Sequence, residues 1–385
     1  MLNRWLRAGA MSVLALVVCG SPAAAHGPAP TPPGPSGPVR IQSLDFIGEA
    51  TFETGFLFEG TEVGGLSGID YDPDADLYYI ISDDRVAPRF YEAVIDLADG
   101  TLAPGDVVFT DVTTILDTDG GAFAPNTSDP ESIRYDARSN TLYWTSEGDA
   151  NALLPPFVRE MDLHGNFLRE LTTPALFAPT ADQSSGIRNN LAFESLTFSW
   201  FGLTLITATE NALYQDGPAA SLTEGSPART LELGVFRGRP LTQRVYVTDE
   251  IASPPDPAGS FATNGLVEIL AHRPGCFLAV ERAFSVGVGN TIRLYEACYP
   301  GTSNVRHRDS IQDGRPVRTI RKRLLLDLDV LGIPLDNIEG ITFGPRLPDG
   351  SRSLILVSDN NFNPNGQFTQ FLAFRIHERG RRFQR

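Results

Sequence analysis

The sequence predicts an all-β protein, a single closed β-propeller of about five blades, each a four-stranded antiparallel sheet. Three observations predict it. After residue 40 the chain falls into short runs of β-forming residues, such as Leu77–Ile81, Thr141–Thr145 and Leu354–Val357, with Asp, Gly and Pro between them. No stretch carries the long apolar stripe of an amphipathic helix. A short motif recurs along the chain at intervals of about one blade.

The motif reads Ser67-Gly68-Ile69-Asp70-Tyr71, Glu131-Ser132-Ile133-Arg134-Tyr135, Glu194-Ser195-Leu196-Thr197-Phe198 and Glu339-Gly340-Ile341-Thr342-Phe343, with Asn264-Gly265-Leu266-Val267-Glu268 as a degenerate copy. Each copy opens a strand, a turn follows, and a second strand returns to an acid or its neighbour. Ser67/Asp83, Glu131/Glu147 and Glu194/Glu210 are sixteen residues apart, Asn264/Glu281 seventeen and Glu339/Asp359 twenty. Equal arms about a turn make each pair neighbours across the open end of a hairpin. The residues before the first copy and after the last add up to one more interval, so a shared terminal blade closes the ring at five. Six blades fit if one lacks the motif. Closure also removes the exposed edges of an open sheet stack.

From the N-terminus, residues 1–25 have the form of an export signal. Arg4 and Arg7 precede the apolar Met11–Cys19, and Ala23-Ala24-Ala25 precede His26 as a small-residue cleavage site. The apolar core is too short to span a bilayer, and no later run approaches the ~18 apolar residues a span needs. Valine before Cys19 is a poor fit to a lipoprotein site. The expected location is periplasmic or secreted. Residues 26–40 form a Pro/Gly-rich linker, 41–376 the propeller, and 377–385 a basic tail. In an oxidising compartment Cys276 and Cys298 can pair: a hairpin turning at Gly287 sets Cys276 opposite Cys298 and Glu281 opposite Arg293.

The chain carries 31 Lys+Arg and 47 Asp+Glu, a net charge of −16, which becomes −18 without the first 25 residues. Such an excess argues against the broad basic face that nucleic acid or an anionic lipid surface requires. It favours cations. In a propeller the first strand of each blade lines the channel, so its start and the end of the second strand open on one face. The repeat therefore gathers Asp83, Glu131, Glu147, Glu194, Glu210, Glu281, Glu339 and Asp359 at one mouth. Crowded carboxylates raise one another's pKa unless a positive group intervenes. A hard cation with oxygen ligands, Ca²⁺ above all, meets that need, and Arg85, Arg188 and Arg282 offer ion pairs instead. The same carboxylates can equally tie neighbouring blades together through backbone hydrogen bonds.

Other motifs point elsewhere less firmly. Asp72-Pro73-Asp74-Ala75-Asp76 imitates a calcium loop without its glycine and distal glutamate, and reads as a turn. There is no Gly-x-Ser-x-Gly elbow, no phosphate-binding glycine loop and no Cys/His zinc spacing. The five histidines, His26, His164, His272, His307 and His377, all lie away from the acidic repeat. No catalytic nucleophile or base is assigned.

The chain resembles the bacterial phytase-like domain family, labelled "esterase-like activity of phytase". The resemblance runs from about Ile41 to Ile376. It rests on Gly65-Leu66-Ser67-Gly68-Ile69 with Ser82-Asp83-Asp84-Arg85, and on Asp129-Pro130-Glu131-Ser132-Ile133 with Ser146-Glu147-Gly148. It rests also on Arg188-Asn189-Asn190, Phe193-Glu194-Ser195-Leu196, Glu210-Asn211-Ala212-Leu213, Val280-Glu281-Arg282, Asp336-Asn337-Ile338-Glu339-Gly340-Ile341 and Ser358-Asp359-Asn360-Asn361-Phe362. The resemblance implies an exported propeller related to calcium-dependent phytases, which have six blades. This sequence shows no Lys/Arg cluster suited to a polyphosphate, and Ser67 and Asn264 stand where other repeats begin with an acid.

The leading expectation is a monomeric, calcium-assisted phosphoric-ester hydrolase acting on a small molecule. Asp83, Glu131, Glu147, Glu194, Glu210, Glu339 and Asp359 would be metal ligands. Arg85, Arg188, Arg282, Asn211 and Asn360 would contact substrate. The alternatives are a non-catalytic, calcium-stabilised propeller binding an envelope ligand, and a carboxylic esterase.

Overall fold

The computed structural model describes residues 40–379. The expected signal segment, nearly all of the linker and the end of the basic tail lie outside the described residues. Five four-stranded antiparallel sheets follow one another. After β1 (Arg40–Glu53) and a small hairpin of β2 (Leu57–Phe58) and β3 (Thr61–Glu62), blade 1 comprises β4 (Leu66–Asp72), β5 (Leu77–Ser82), β6 (Arg89–Ile95) and β7 (Val107–Thr114). Blade 2 comprises β8 (Pro130–Asp136), β9 (Thr141–Ser146), β10 (Phe157–Asp162) and β11 (Phe167–Leu171). Blade 3 comprises β12 (Phe193–Phe198), β13 (Thr204–Thr209), β14 (Pro227–Gly234) and β15 (Arg239–Val247). Blade 4 comprises β16 (Ala262–Arg273), β17 (Cys276–Ser285), β18 (Gly289–Cys298) and β19 (Arg321–Asp327). Blade 5 takes β20 (Asn337–Arg346), β21 (Arg352–Asp359) and β22 (Phe368–Arg379), and β1 completes it as the outer strand. The blade count is five, the number given by the repeat, where the resemblance implied six.

The first strands β4, β8, β12, β16 and β20 touch in cyclic order, which closes the ring around its axis. Alternating side chains give each blade two apolar faces, and every junction between blades has its own core. Ile81 and Trp144 share the core between blades 1 and 2, Val158 and Leu205 that between 2 and 3. Ile206 and Phe277 lie between blades 3 and 4, Leu278 and Leu354 between 4 and 5, and Ile80 and Ile355 between 5 and 1. At about 1.5–3 kcal/mol for each large apolar side chain buried, these five seams are the main cohesion of the ring.

The axis itself is polar. Arg134, 2% exposed, donates to one backbone carbonyl from every blade: Leu196 and Ile69 at 2.6 Å, Ile133 at 2.9 Å, Ile269 at 3.2 Å and Ile341 at 3.3 Å. Its charge is met by the buried Glu268, 2.8 Å away. Glu268 also accepts from Ser132 Oγ at 2.6 Å and from the backbone N–H of Leu196 and Ile269 at 2.9 Å. The five carbonyls come from equivalent places in the five first strands, so one guanidinium pins the ring together at its centre.

The hairpin β17–β18 pairs Cys276 with Cys298 and Glu281 with Arg293, and the two cysteines form a disulfide. Asp72 Oδ1 accepts from the backbone N–H of Asp74 and Ala75, which makes the pseudo-calcium loop a capped turn.

Candidate metal centre

A β-bulge recurs in the first strand of every blade. The pairing register slips between Leu66 and Gly68, Pro130 and Ile133, Phe193 and Ser195, Leu266 and Glu268, and Ile338 and Gly340. A bulge re-aims the extra side chain. Here it turns Glu131, Glu194 and Glu339 toward the mouth, with Ser67 and Val267 at the matching places. The blade 4 copy of the repeat is therefore Val267-Glu268-Ile269, three residues later than the sequence alignment placed it. Ile269 identifies the true register because its carbonyl accepts from Arg134.

The second strands supply the other half of the ring. Asp83 N donates to Gly65 O at 2.7 Å, Glu147 N to Asp129 O at 2.9 Å and Glu210 N to Ala192 O at 2.7 Å. Asn337 pairs with Asp359, and Gly265 with Arg282. Four blades thus place an acid at this position and blade 4 places Arg282. Glu281, expected at the mouth, points the other way. It accepts from Tyr246 Oη at 2.6 Å and from Asp249 N at 2.8 Å, and it pairs with Lys322.

Two glycines make room for the acids. A Cβ at Gly65, whose φ is +62°, would fall 1.8 Å from Asp83 Oδ1; at Gly265 it would fall 2.1 Å from Glu210 Oε1. The mouth opens into a cavity of about 850 Å³ whose lining includes Asp83, Asp129, Glu131, Glu194, Glu210, Glu339 and Asp359. Glu147 lies just behind, 1% exposed. Asp129, Glu131 and Glu147 bring carboxylate oxygens within 4.8 Å of one another, as do Glu147, Glu194 and Glu210. Glu147 is common to both groups. Asp129 is the acid that the repeat did not single out, because only blade 2 has an acid there.

Burial raises the pKa of every one of these carboxyls, and for all but Glu339 repulsion from neighbouring carboxylates adds to it. Glu147 and Asp359 are pushed up to about 8, and Asp129 and Glu210 to about 7. Asp83, Glu131 and Glu194 are held well above the carboxylate range, and Glu339 is raised despite Arg282. Some partners exist. Glu147 Oε1 accepts from Ala192 N at 2.5 Å, Glu339 from Arg282 at 3.0 Å and from Asn337 Nδ2 at 2.9 Å. Yet Asp83 Oδ1, Glu147 Oε2 and Glu210 Oε1 are sealed from solvent without a hydrogen-bond partner, although Arg282 lies 3.7 Å from the last. Unpaired buried carboxylate oxygens are costly.

The expected substrate contacts separate into two groups. Arg85 and Arg282 line the cavity. Arg85 reaches Asp149 at 2.7 Å and Asp129 at 3.5 Å. Arg188, Asn211 and Asn360 are not in its lining and are engaged elsewhere. Arg188 donates to the carbonyls of Ala212 and Gly217 at 3.1 and 2.8 Å and stacks on Tyr214. Asn211 bridges Asn264 O and Ala220 N at 3.2 and 2.9 Å. Asn360 Oδ1 accepts from the N–H of Gly65 and Phe362 at 3.1 and 3.0 Å. Among the described residues no histidine lines the cavity.

The family model for the phytase-like family, described as esterase-like activity of phytase, matches residues 61–362. No curated protein matches. Among solved structures the chain is similar to an endo-arabinase from Bacteroides thetaiotaomicron VPI-5482, at 13% identity over 85% of this chain and 97% of that one, with a TM-score of 0.44. It is similar also to a thermostable family-43 glycoside hydrolase, at 12% identity over 83% and 94% of the two chains, TM-score 0.47. A luciferin-regenerating enzyme shares 11% identity over 81% and 92%, TM-score 0.38. At these scores the structural likenesses carry no functional argument. The family match is different, since it spans well over half of the chain and contains all seven ring acids: the chain belongs to the phytase-like family.

Proposed function

We propose that the acidic mouth holds Ca²⁺ and serves the hydrolysis of a phosphoric ester outside the cytoplasm. The observation that carries this reading is the set of three sealed carboxylate oxygens with no partner, on Asp83, Glu147 and Glu210. They stand in a cluster whose donors are all oxygen, as a hard cation requires. Asp129, Glu131, Glu147, Glu194 and Glu210 would hold the ion or ions, with Asp83, Glu339 and Asp359 completing the rim. A bound divalent cation supplies neutralisation of these carboxylates and polarisation of an ester oxygen. The protein's own groups do the rest. Arg85 and Arg282 face the cavity where a phosphate would lie, and Asp129 and Glu339 hold them there. Phe261, Phe284 and Leu335 add apolar surface to the cavity lining. The disulfide supports the extracytoplasmic setting.

Turnover of phytate or simple phosphomonoesters by the purified chain with Ca²⁺, abolished by EDTA, is the expected result; no turnover of either with Ca²⁺ overturns the catalytic part. One observation favours the non-catalytic reading: both cavity guanidiniums are already engaged by carboxylates. That reading expects a large rise in Tm with Ca²⁺ and no turnover. A carboxylic esterase finds less support, because Ser67 Oγ donates to Gly65 O at 3.3 Å and, among the described residues, no histidine lines the cavity.

A further inference from the structure

We propose that the face opposite the acidic mouth docks on an anionic lipid surface through two hairpin tips of blade 3. The tips are the turn between β12 and β13, which carries Trp200, Phe201 and Leu203, and the turn between β14 and β15, which carries Phe236, with Leu241 following on β15. These side chains are 49%, 71%, 68%, 89% and 41% exposed. The turns adjoin, since Val235 N donates to Leu203 O at 3.2 Å and Thr204 pairs with Gly234. Five large apolar groups therefore lie close together on two adjoining tips, whereas other exposed apolar side chains, such as Leu57, Leu153 and Val330, are spread over different blades. Single exposed apolar residues are ordinary, but a contiguous group of this size marks an interaction site.

Charge selects the occupant. Arg237 and Arg239 follow Phe236, in the turn and at the start of β15, and are exposed, and neither enters an ion pair among the described residues. Arg138 lies over the Phe198 ring at 5.7 Å and against the Gly202 backbone. Arg306 donates to the carbonyls of Pro240 and Leu241 at 3.1 Å. Glu232 of β14 is taken by Arg244, and Arg138 is itself paired with Asp136 of blade 2, both at 2.8 Å, so among the described residues the unpaired positive charge at the tips is that of Arg237, Arg239 and Arg306. A chain of net charge −16 thus keeps a small cationic rim around aromatic tips, while its ring of acids is gathered at the other end of the axis. Trp and Phe at headgroup depth with Arg on anionic phosphates is the pairing such a tip fits.

The test is co-sedimentation of the full-length chain with vesicles of phosphatidylcholine alone and of phosphatidylcholine with phosphatidylglycerol. Phe201→Asp/Phe236→Asp should weaken partition into the anionic vesicles about tenfold, and Arg237→Ser/Arg239→Ser should remove the preference for anionic over neutral lipid. Because all four side chains are exposed, both variants should keep the wild-type Tm, which excludes misfolding as the cause. The fluorescence difference between wild type and Trp200→Phe should shift to the blue on vesicle addition. Equal sedimentation of wild type and the Phe201/Phe236 variant overturns the proposal. So does a concentration-dependent dimer, abolished by that variant, in a chain that ignores vesicles.

Discussion

Replacing Arg134 by Met should loosen the whole ring, because among the described residues this side chain alone is bonded to all five blades. The variant strips donors from five carbonyls and leaves Glu268 buried without its 2.8 Å partner. Removing one member of a buried ion pair costs about 3–5 kcal/mol. Glu268 keeps its bonds from Ser132, Leu196 and Ile269, so a value of about 4 kcal/mol is the reasoned centre of that range. At roughly 2 °C per kcal/mol for a large domain, Tm should fall by about 8 °C. The loss should also depend on pH. Burial already pushes Glu268 up to about 7 with Arg134 present, and without the guanidinium it rises further. The variant can hold Glu268 neutral at little cost at pH 5, but keeping that proton at pH 8, far above the ordinary carboxyl range of about 4, costs stability, so the penalty is larger at the higher pH. Calorimetry in EDTA at both pH values measures this, and Arg134→Met/Glu268→Leu should recover much of the loss. A single variant within about 1 kcal/mol of wild type at pH 8 would refute the pinning role.

Three further outcomes follow from the mouth and the hairpin. Asp129, Glu147, Glu210 and Asp359 bind protons more tightly folded, at about 7 to 8, than unfolded, at about 4. The metal-free chain should therefore lose stability as pH rises from roughly 4.5 through 8, and Ca²⁺ should raise Tm more at pH 8 than at pH 5; a metal-free Tm that climbs over this range contradicts the reasoning. Glu147→Gln removes the acid shared by both clusters, so calorimetric titration should show Ca²⁺ affinity down at least about tenfold while the metal-free Tm at pH 8 goes up. Cys276→Ser/Cys298→Ser opens a loop with a sequence separation of 22, and denaturant melts should show a loss of about 3 kcal/mol.

Much of the ring was legible because its repeat is chemical as well as spatial. Glu131, Glu194 and Glu339 recur at blade spacing, and a hairpin with equal arms forces Glu147, Glu210 and Asp359 to return beside them. Glu281 misled because the bulge in β16 comes three residues later than the motif, and a period-two strand then sends the neighbouring side chain, Arg282, to the mouth. Arg134 and Glu268 were both in plain view within repeat copies. Their partnership was not, because it joins blades 2 and 4 across the axis, and sequence spacing carries no signal for a contact of that kind. Arg188, Asn211 and Asn360 show the opposite failure: each is adjacent to a motif, but adjacency in the chain does not turn a side chain toward the cavity.

The closing blade joins β1 to β22, pairing Arg40 with Arg379 and Glu53 with Phe368. A chain made from its N-terminus must carry Arg40–Glu53 unpaired while more than three hundred residues are added. Until the last strand arrives, blade 5 has no outer strand and blade 1 has no neighbour on one side, so two sticky edges wait in the open. Closure of this ring therefore has to wait for β22. A chain stopped short of Phe368 would leave four blades without a clasp.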